Sequence, residues 1–195
     1  MATKKAPRRS ARERILEAAS ELFYQEGTQN VGIDRVIAES GVAKMSLYNN
    51  FKSKDDLIAA CLEKQGAEWS DFLKKKLDAM EVAPTEKLLA IFDILLAWAT
   101  KPNFRGCAFI NCSVELANPD HPAFQIAVRH KEMTVTCLRD LATRAHLPNP
   151  EAIAQQLMIL AEGSIVMAMM QGKPDPMKQA KQAARTLIEA NREWG

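Results

Sequence analysis

Apolar residues recur along this chain at steps of three and four, the spacing that lines one face of a helix, and no strand-like alternation of useful length occurs. Ser10-Ala-Arg-Glu13 fits a capping box, in which serine and glutamate satisfy each other's orphan backbone donors. Ile15, Leu16, Ala18, Ala19, Leu22 and Phe23 then form one stripe, and Gly27 is a natural stop. Ile33, Val36 and Ile37 give a second, short stripe closed by Ser40-Gly41, where glycine can take the left-handed conformation. After only Val42 and Ala43, Leu47 and Phe51 mark a third short helix. Two short helices joined by a tight glycine turn make a helix-turn-helix. Ser53-Lys-Asp-Asp56 reads as a second capping box, opening a long helix whose stripe runs from Leu57 to Met80.

The remainder is also helical and greasier. Pro84 precedes a helix carrying Leu88, Leu89, Phe92, Leu95, Leu96 and Trp98, stopped near Thr100-Lys-Pro102. A segment from Phe104 to Ala117 is broken by Asn118-Pro-Asp-His-Pro122, and another helix runs from Pro122 to Leu147. Asn149-Pro150 and Asp175-Pro176 each place a cap residue before a proline whose missing N–H costs nothing at a helix start, so two more helices follow. The expectation is an all-α chain of nine helices.

With 195 residues, 47% hydrophobic and 26% charged, there is chain enough for one large or two small domains around a real core, and neither disorder nor a fibrous repeat fits. The longest apolar runs, Leu88 to Ala99 and Ile153 to Met170, are interrupted by charges or amides, and no apolar segment follows the basic N-terminus; a soluble chain without membrane span or secretory signal is expected. Cys61, Cys107, Cys112 and Cys137 show no CxxC or zinc-ligand spacing, which fits a reduced, cytoplasmic compartment. Charge divides unevenly. Residues 1–54 hold ten Lys and Arg against six acids, a net of +4, while the whole chain carries +2. A basic end on a slightly acidic body points to a polyanion met through that end.

The helix-turn-helix supplies the chemistry for such a partner, because a helix fits the major groove and the preceding helix holds its first residues against base edges. Lys44 can donate to guanine or phosphate, Ser46 and Asn49 can donate and accept, Met45 can touch a thymine methyl, and Tyr48 can bond a phosphate. Lys54, with the amides opening the next helix, forms an anion site for the backbone. The same two helices around a glycine also occur in bundles that never meet DNA. The basic arm, residues 1–9, cannot fold alone; it either neutralises phosphate on DNA or is a solvated tail, and we favour the former.

Residues 10–58, above all Gly41-Val-Ala-Lys-Met-Ser-Leu-Tyr-Asn-Asn-Phe-Lys-Ser-Lys-Asp-Asp-Leu57, resemble the N-terminal domain of the tetracycline-repressor (TetR) family of bacterial transcriptional regulators. The pattern GV-x-x-x-x-LY-x-x-F-x-SK-x-x-L spans 17 positions. The resemblance implies a three-helix DNA-binding head (10–53 here), a larger helical effector-binding and dimerisation domain (54–195), and a cytoplasmic homodimer built through the last two helices. It also implies a recognition helix from Lys44 to Asn50, with Tyr48 and Lys54 on phosphates. Two positions depart from the pattern: Asn50 stands where His is frequent, and Val31 where Thr often starts the second helix. The implied partners are double-stranded operator DNA and a small-molecule effector that releases it, with no membrane, metal or cofactor.

For the effector cavity, Trp69, Phe72, Phe92, Trp98, Phe104, Cys107, Asn111, Met133, Cys137 and Met167 offer an apolar lining with a few polar groups. Gly163, with Ala154, Ala161 and Ala168, suggests a helix-packing seam. An alternative within the same class is thiol sensing: Arg105-Gly106 sets a cation and a helix start beside Cys107, the setting of a reactive thiolate, against the plainer reading of buried inert thiols. Outside the class stands a helical small-molecule binder or enzyme without DNA activity. No nucleophile elbow, phosphate loop or paired acids support catalysis, and His121, His130 and His146 lack metal spacing; Glu115 and Asn111, a turn apart, are one acid and one amide toward a pocket.

Overall fold

Ser10 opens the first helix as its sequence requires: its Oγ accepts from the Glu13 amide while the Glu13 carboxylate takes the Ser10 N–H. In this computed structural model, which describes residues 9–192, the described residues form nine helices and no strand. They are α1 (Ala11–Glu26), α2 (Ile33–Ser40), α3 (Lys44–Asn50), α4 (Lys54–Asp78), α5 (Pro84–Ala99), α6 (Ala108–Leu116), α7 (Pro122–Arg144), α8 (Pro150–Gln171) and α9 (Asp175–Arg192). All but Arg9 of the basic arm lies outside the described residues.

Two compact units divide the chain. One runs to Gln65 and takes in Phe109–Ile126; the other holds Gly66–Ala108 and the chain from Ala127 onward. The first therefore gathers more chain than residues 10–53, adding the opening of α4 and nearly all of α6. Its core is Ile15, Leu16, Ala19, Leu22, Phe23, Val36, Leu47, Phe51, Leu57 and Ile58, the stripe residues of four helices. In the second unit α5, α8 and α9 pack together. Here Leu88, Phe92 and Leu95 of α5, Ile153, Leu157 and Ile165 of α8, and Met177, Ala184 and Ile188 of α9 are buried.

Several sequence expectations shift in detail. α6 starts at Ala108 rather than Phe104, and α7 ends at Arg144, where His146 takes a left-handed conformation at φ 54° and closes the helix. Asp175 is the first residue of α9 rather than a cap outside it. α8 is 22 residues long, and an 18-residue window within it has mean hydropathy 1.5, long and apolar enough to cross a membrane by length and composition alone. Its buried stripe packs inside the unit and its Glu162 is ion-paired to Lys131, which is the arrangement of a core helix.

The proposed seam on α8 splits in two. Ala154, Ala161 and Ala168 are buried inside the subunit, whereas Gly163 is exposed and a Cβ placed on it would meet nothing within 4 Å. The three alanines are a heptad apart and so share a face; Gly163, two residues beyond Ala161, lies about 200° around the helix.

Candidate functional site

α3 has the one-sided burial a reading helix needs. Leu47 is buried and Phe51 closes the helix from below, while Met45 and Tyr48 are 68% and 44% exposed, and Lys44, Asn49 and Asn50 also face solvent. Ser46 is half-buried. Lys44 Nζ reaches Asp34 at 3.5 Å on the surface, a weak pairing that leaves its remaining hydrogens to donate elsewhere. Asn50, one of the two departures from the family pattern, turns its amide back on its own helix, donating to Ser46 O at 2.7 Å.

The turn before α3 is fixed from outside. Gly41 is left-handed at φ 61°, with its N–H on Ile37 O. Arg14, one helix away, donates to Ser40 O at 2.6 Å and Gly41 O at 2.8 Å, and so clamps both carbonyls of the turn. Arg12 stacks its guanidinium over Phe51 at 5.3 Å. Sequence reading singled out neither arginine. At the start of α2, Val31 is buried and Gly32 is the N-cap without a side-chain bond, so the backbone amides there gain nothing from a hydroxyl.

The opening of α4 differs slightly from a capping box. Ser53 Oγ accepts from the Asp56 amide at 3.0 Å, but the Asp56 carboxylate takes the Lys52 N–H at 3.1 Å rather than that of Ser53. Two of the local amides are thus engaged. Lys54 stays half-exposed as the first residue of the helix.

Behind α3, the loop from α1 to α2 is held by α6. Glu115 Oε2 accepts from Thr28 N and Thr28 Oγ, both at 2.5 Å, and from Gln29 N at 3.3 Å. This acid therefore serves a loop rather than a pocket with Asn111. In the same unit His121 Nδ1 caps α7 by accepting from Ala123 N, which turns Nε2 toward Asp55 at 3.4 Å.

In the second unit, α4 and α7 border a cleft of about 710 Å³. Trp69, Met133 and Cys137 of the expected lining reach it, with Leu73, Leu77 and Leu141 completing the apolar walls. The others are placed differently. Trp69 also stacks on Phe72 and Trp98, with centroids 5.7 and 5.5 Å away, and Trp98 meets Phe104 edge-on at 4.8 Å, so these aromatics form a chain beside the cleft. Phe92 is 1% exposed in the core, because α5 turns that stripe inward. Met167 faces solvent on α8, and Asn111 belongs to the first unit.

The cysteines are free thiols, and burial pushes Cys61 up to about 11 and Cys112 up to about 12, while Cys137 is raised by burial and by Asp140 and Asp78. Cys107 has a cation at hand, but it is Lys131, with Nζ 3.1 Å from Sγ and 2.7 Å from Glu162 Oε1. Burial works against the Lys131 charge; Cys107 and Glu162 outweigh it and hold the ammonium above its ordinary value.

Comparison with known proteins covers both units. Residues 15–61 match the pattern described as bacterial regulatory proteins, tetR family, and residues 84–184 match the tetracyclin repressor-like C-terminal domain. The transcriptional regulator AcuR of Cereibacter sphaeroides is 26% identical over 175 residues, which are 86% of this chain and 80% of that protein. A TetR-family transcriptional regulator from Streptomyces coelicolor superposes with TM-score 0.87 at 26% identity, over 93% of this chain and 95% of the other. A second such structure, from Streptomyces avermitilis, gives 0.78 at 30% identity over 91% and 99%.

Proposed function

Since the chain belongs to the TetR family of bacterial transcriptional regulators and is a DNA-binding regulator rather than an enzyme, we propose that it is a cytoplasmic repressor that leaves a palindromic operator when a small molecule enters its C-terminal unit. The observation that carries the reading is the surface of α3: Lys44, Met45, Tyr48 and Asn49 project from a helix anchored by Leu47 and by a turn that Arg14 clamps. Lys44, Ser46 and Asn49 read bases, and Tyr48 and Lys54 hold phosphates. Two such helices are presented by a homodimer at successive major grooves, about 34–36 Å apart.

The dimer forms through α8 and α9. Ile159 and Met170, 70% and 72% exposed, share a stripe with Gly163 and Met167 on the side of α8 away from its own core. Such a stripe is covered by a second copy. Effector and operator then compete by linkage, each lowering the other's affinity by the same factor. α4 carries both kinds of residue, with Lys54 at its start and Trp69, Leu73 and Leu77 toward its end.

To test this, an operator is selected from a random duplex library with the purified protein, and binding is measured against salt. Replacing Lys44, Tyr48 and Asn49 by Ala abolishes sequence-selective binding while helicity and dimer mass stay unchanged. Selective binding by the triple variant refutes the placement of α3.

Thiol sensing at Cys107 has one observation in its favour, the Lys131 ammonium 3.1 Å from Sγ. On that reading iodoacetamide labels Cys107 faster than Cys61 and Cys137 in native protein; equal or slower labelling ends it.

A further inference from the structure

Lys87 lies in the first turn of α5 and is only 9% exposed, yet no hydrogen bond or ion pair within the described residues meets its ammonium. Its stem is enclosed, but the ammonium is not among the side-chain atoms sealed from solvent, so the charge is held open and without a counter-charge at the end of a buried stem. This side chain lines the α4–α7 cleft, whose 710 Å³ falls within the range of about 300–1,000 Å³ usual for small-molecule sites.

The surrounding charges point the same way. Lys74, Arg129 and Arg144 also line the cleft without ion pairs among the described residues, against Asp78, Glu132 and Asp140, the last already within 4.0 Å of Arg139. A cationic ligand could find a carboxylate here, but it would cover the Lys87 ammonium without compensating it and set a like charge against it. An anionic head instead gives Lys87 the partner it lacks, while an apolar body covers Trp69, Leu73 and Met133.

We propose that the cleft binds an amphipathic organic carboxylate, aromatic or of medium chain length, whose head pairs with Lys87. The proposal deepens the effector-domain reading given above and rests on it for its regulatory meaning.

Calorimetric titration of the full-length protein tests it without DNA. The probes are naphthalene-2-carboxylate and octanoate, each beside its primary amide and the corresponding primary amine. The carboxylates bind at least about tenfold more tightly than the amides, as expected of a charge-assisted pair in a desolvated setting, and the amines bind more weakly still. Lys87→Met, which keeps the apolar stem without the charge, loses this preference and retains amide binding; Lys87→Arg restores it. Lys87→Met keeps the enclosed apolar stem, so its urea stability stays close to that of the parent. The proposal is overturned if neither carboxylate saturates the protein at millimolar concentration, if amide or amine matches the carboxylate, or if the preference survives in Lys87→Met. Operator release by the same carboxylates is measured separately. Binding without release sinks the effector reading and leaves the site standing, whereas operator binding with no anion preference sinks the site alone.

Discussion

Glu115→Ala removes a carboxylate that the loop after α1 cannot replace. Its Oε2 serves three donors, and two of them, the Thr28 amide and hydroxyl, belong to a residue that is itself buried. Hydrogen bonds to a charged acceptor are each worth about 1.5–3 kcal/mol when well buried. Glu115 is partly exposed and the Gln29 contact is long, so we take the low end, about 2 kcal/mol in all, most of it from the stranded Thr28 amide. Gly27 permits the arrangement: at φ 91° a Cβ there would sit 2.9 Å from Glu115 Oε1, so Gly27→Ala expels the same carboxylate and adds backbone strain. Hydrogen exchange read at the Thr28 amide is the direct assay. Protection falls about 30-fold in Glu115→Ala, the equivalent of 2 kcal/mol, with a smaller loss in Glu115→Gln, which keeps an acceptor without the charge. In a cycle with Thr28→Val the two losses are less than additive, since both changes break one contact. If Glu115→Ala leaves Thr28 exchange and urea stability within about 0.5 kcal/mol of the parent, the clamp does not exist in solution.

Gly163→Ala has opposite effects on subunit and dimer: it stabilises the isolated helix by about 1 kcal/mol, since the new methyl meets nothing, but weakens dimerisation by holding a partner helix away. Sedimentation equilibrium and concentration-dependent melting read the two signs, and a dimer unaffected by the change excludes Gly163 from the interface. His146 is held left-handed at φ 54° in a closing motif, with its N–H on Thr143 O and that of Leu147 on Ala142 O; His146→Gly therefore raises stability by about 1 kcal/mol in urea. His130, buried and beside Lys131, is lowered to about 4, so the folded state binds its proton less readily than the unfolded chain. Its contribution, on the order of 2–3 kcal/mol, is complete above the unfolded value near 6.5 and is lost as pH falls from there toward 4. His130→Phe flattens that part of the stability curve, and an unchanged slope between these pH values refutes the assignment.

What could be read from the chain alone was whatever depends on neighbours within a turn or two. The Ser10–Glu13 box, the Gly41 turn and the limits of α3 are local, and Leu47 against Lys44 and Tyr48 follows from three and four residue spacing. The clamps were invisible for the opposite reason. Arg14 finds its carbonyls 26 and 27 residues on, Glu115 meets Thr28 across 87, and Lys131 reaches Glu162 across 31; no periodicity records such a return of the chain. The Gly163 seam is a different failure, because helical arithmetic already places Gly163 opposite Ala154, Ala161 and Ala168.

The lining of the cleft shows where periodicity stops carrying information even in principle. α5 buries Thr85, Lys87, Leu88, Leu89, Ile91, Phe92, Ile94 and Leu95, an arc of about 220° that leaves only the strip of Glu86, Asp93 and Ala97 exposed, so the pattern shows which side meets solvent but not which part of the wide buried arc borders a cleft. On such a helix the large aromatic Phe92 looks like a binding residue and proves to be core, while a lysine looks like a solvated surface group and proves to have an enclosed stem and to line the cleft. Side-chain size predicts burial, whereas a ligand selects for what burial leaves unsatisfied. A search for binding residues in a largely buried helix is therefore better aimed at the charged positions within its buried arc than at its aromatics, and Lys87→Met is the variant that sets the two criteria against each other: if the charge matters, carboxylate preference goes while the fold is kept.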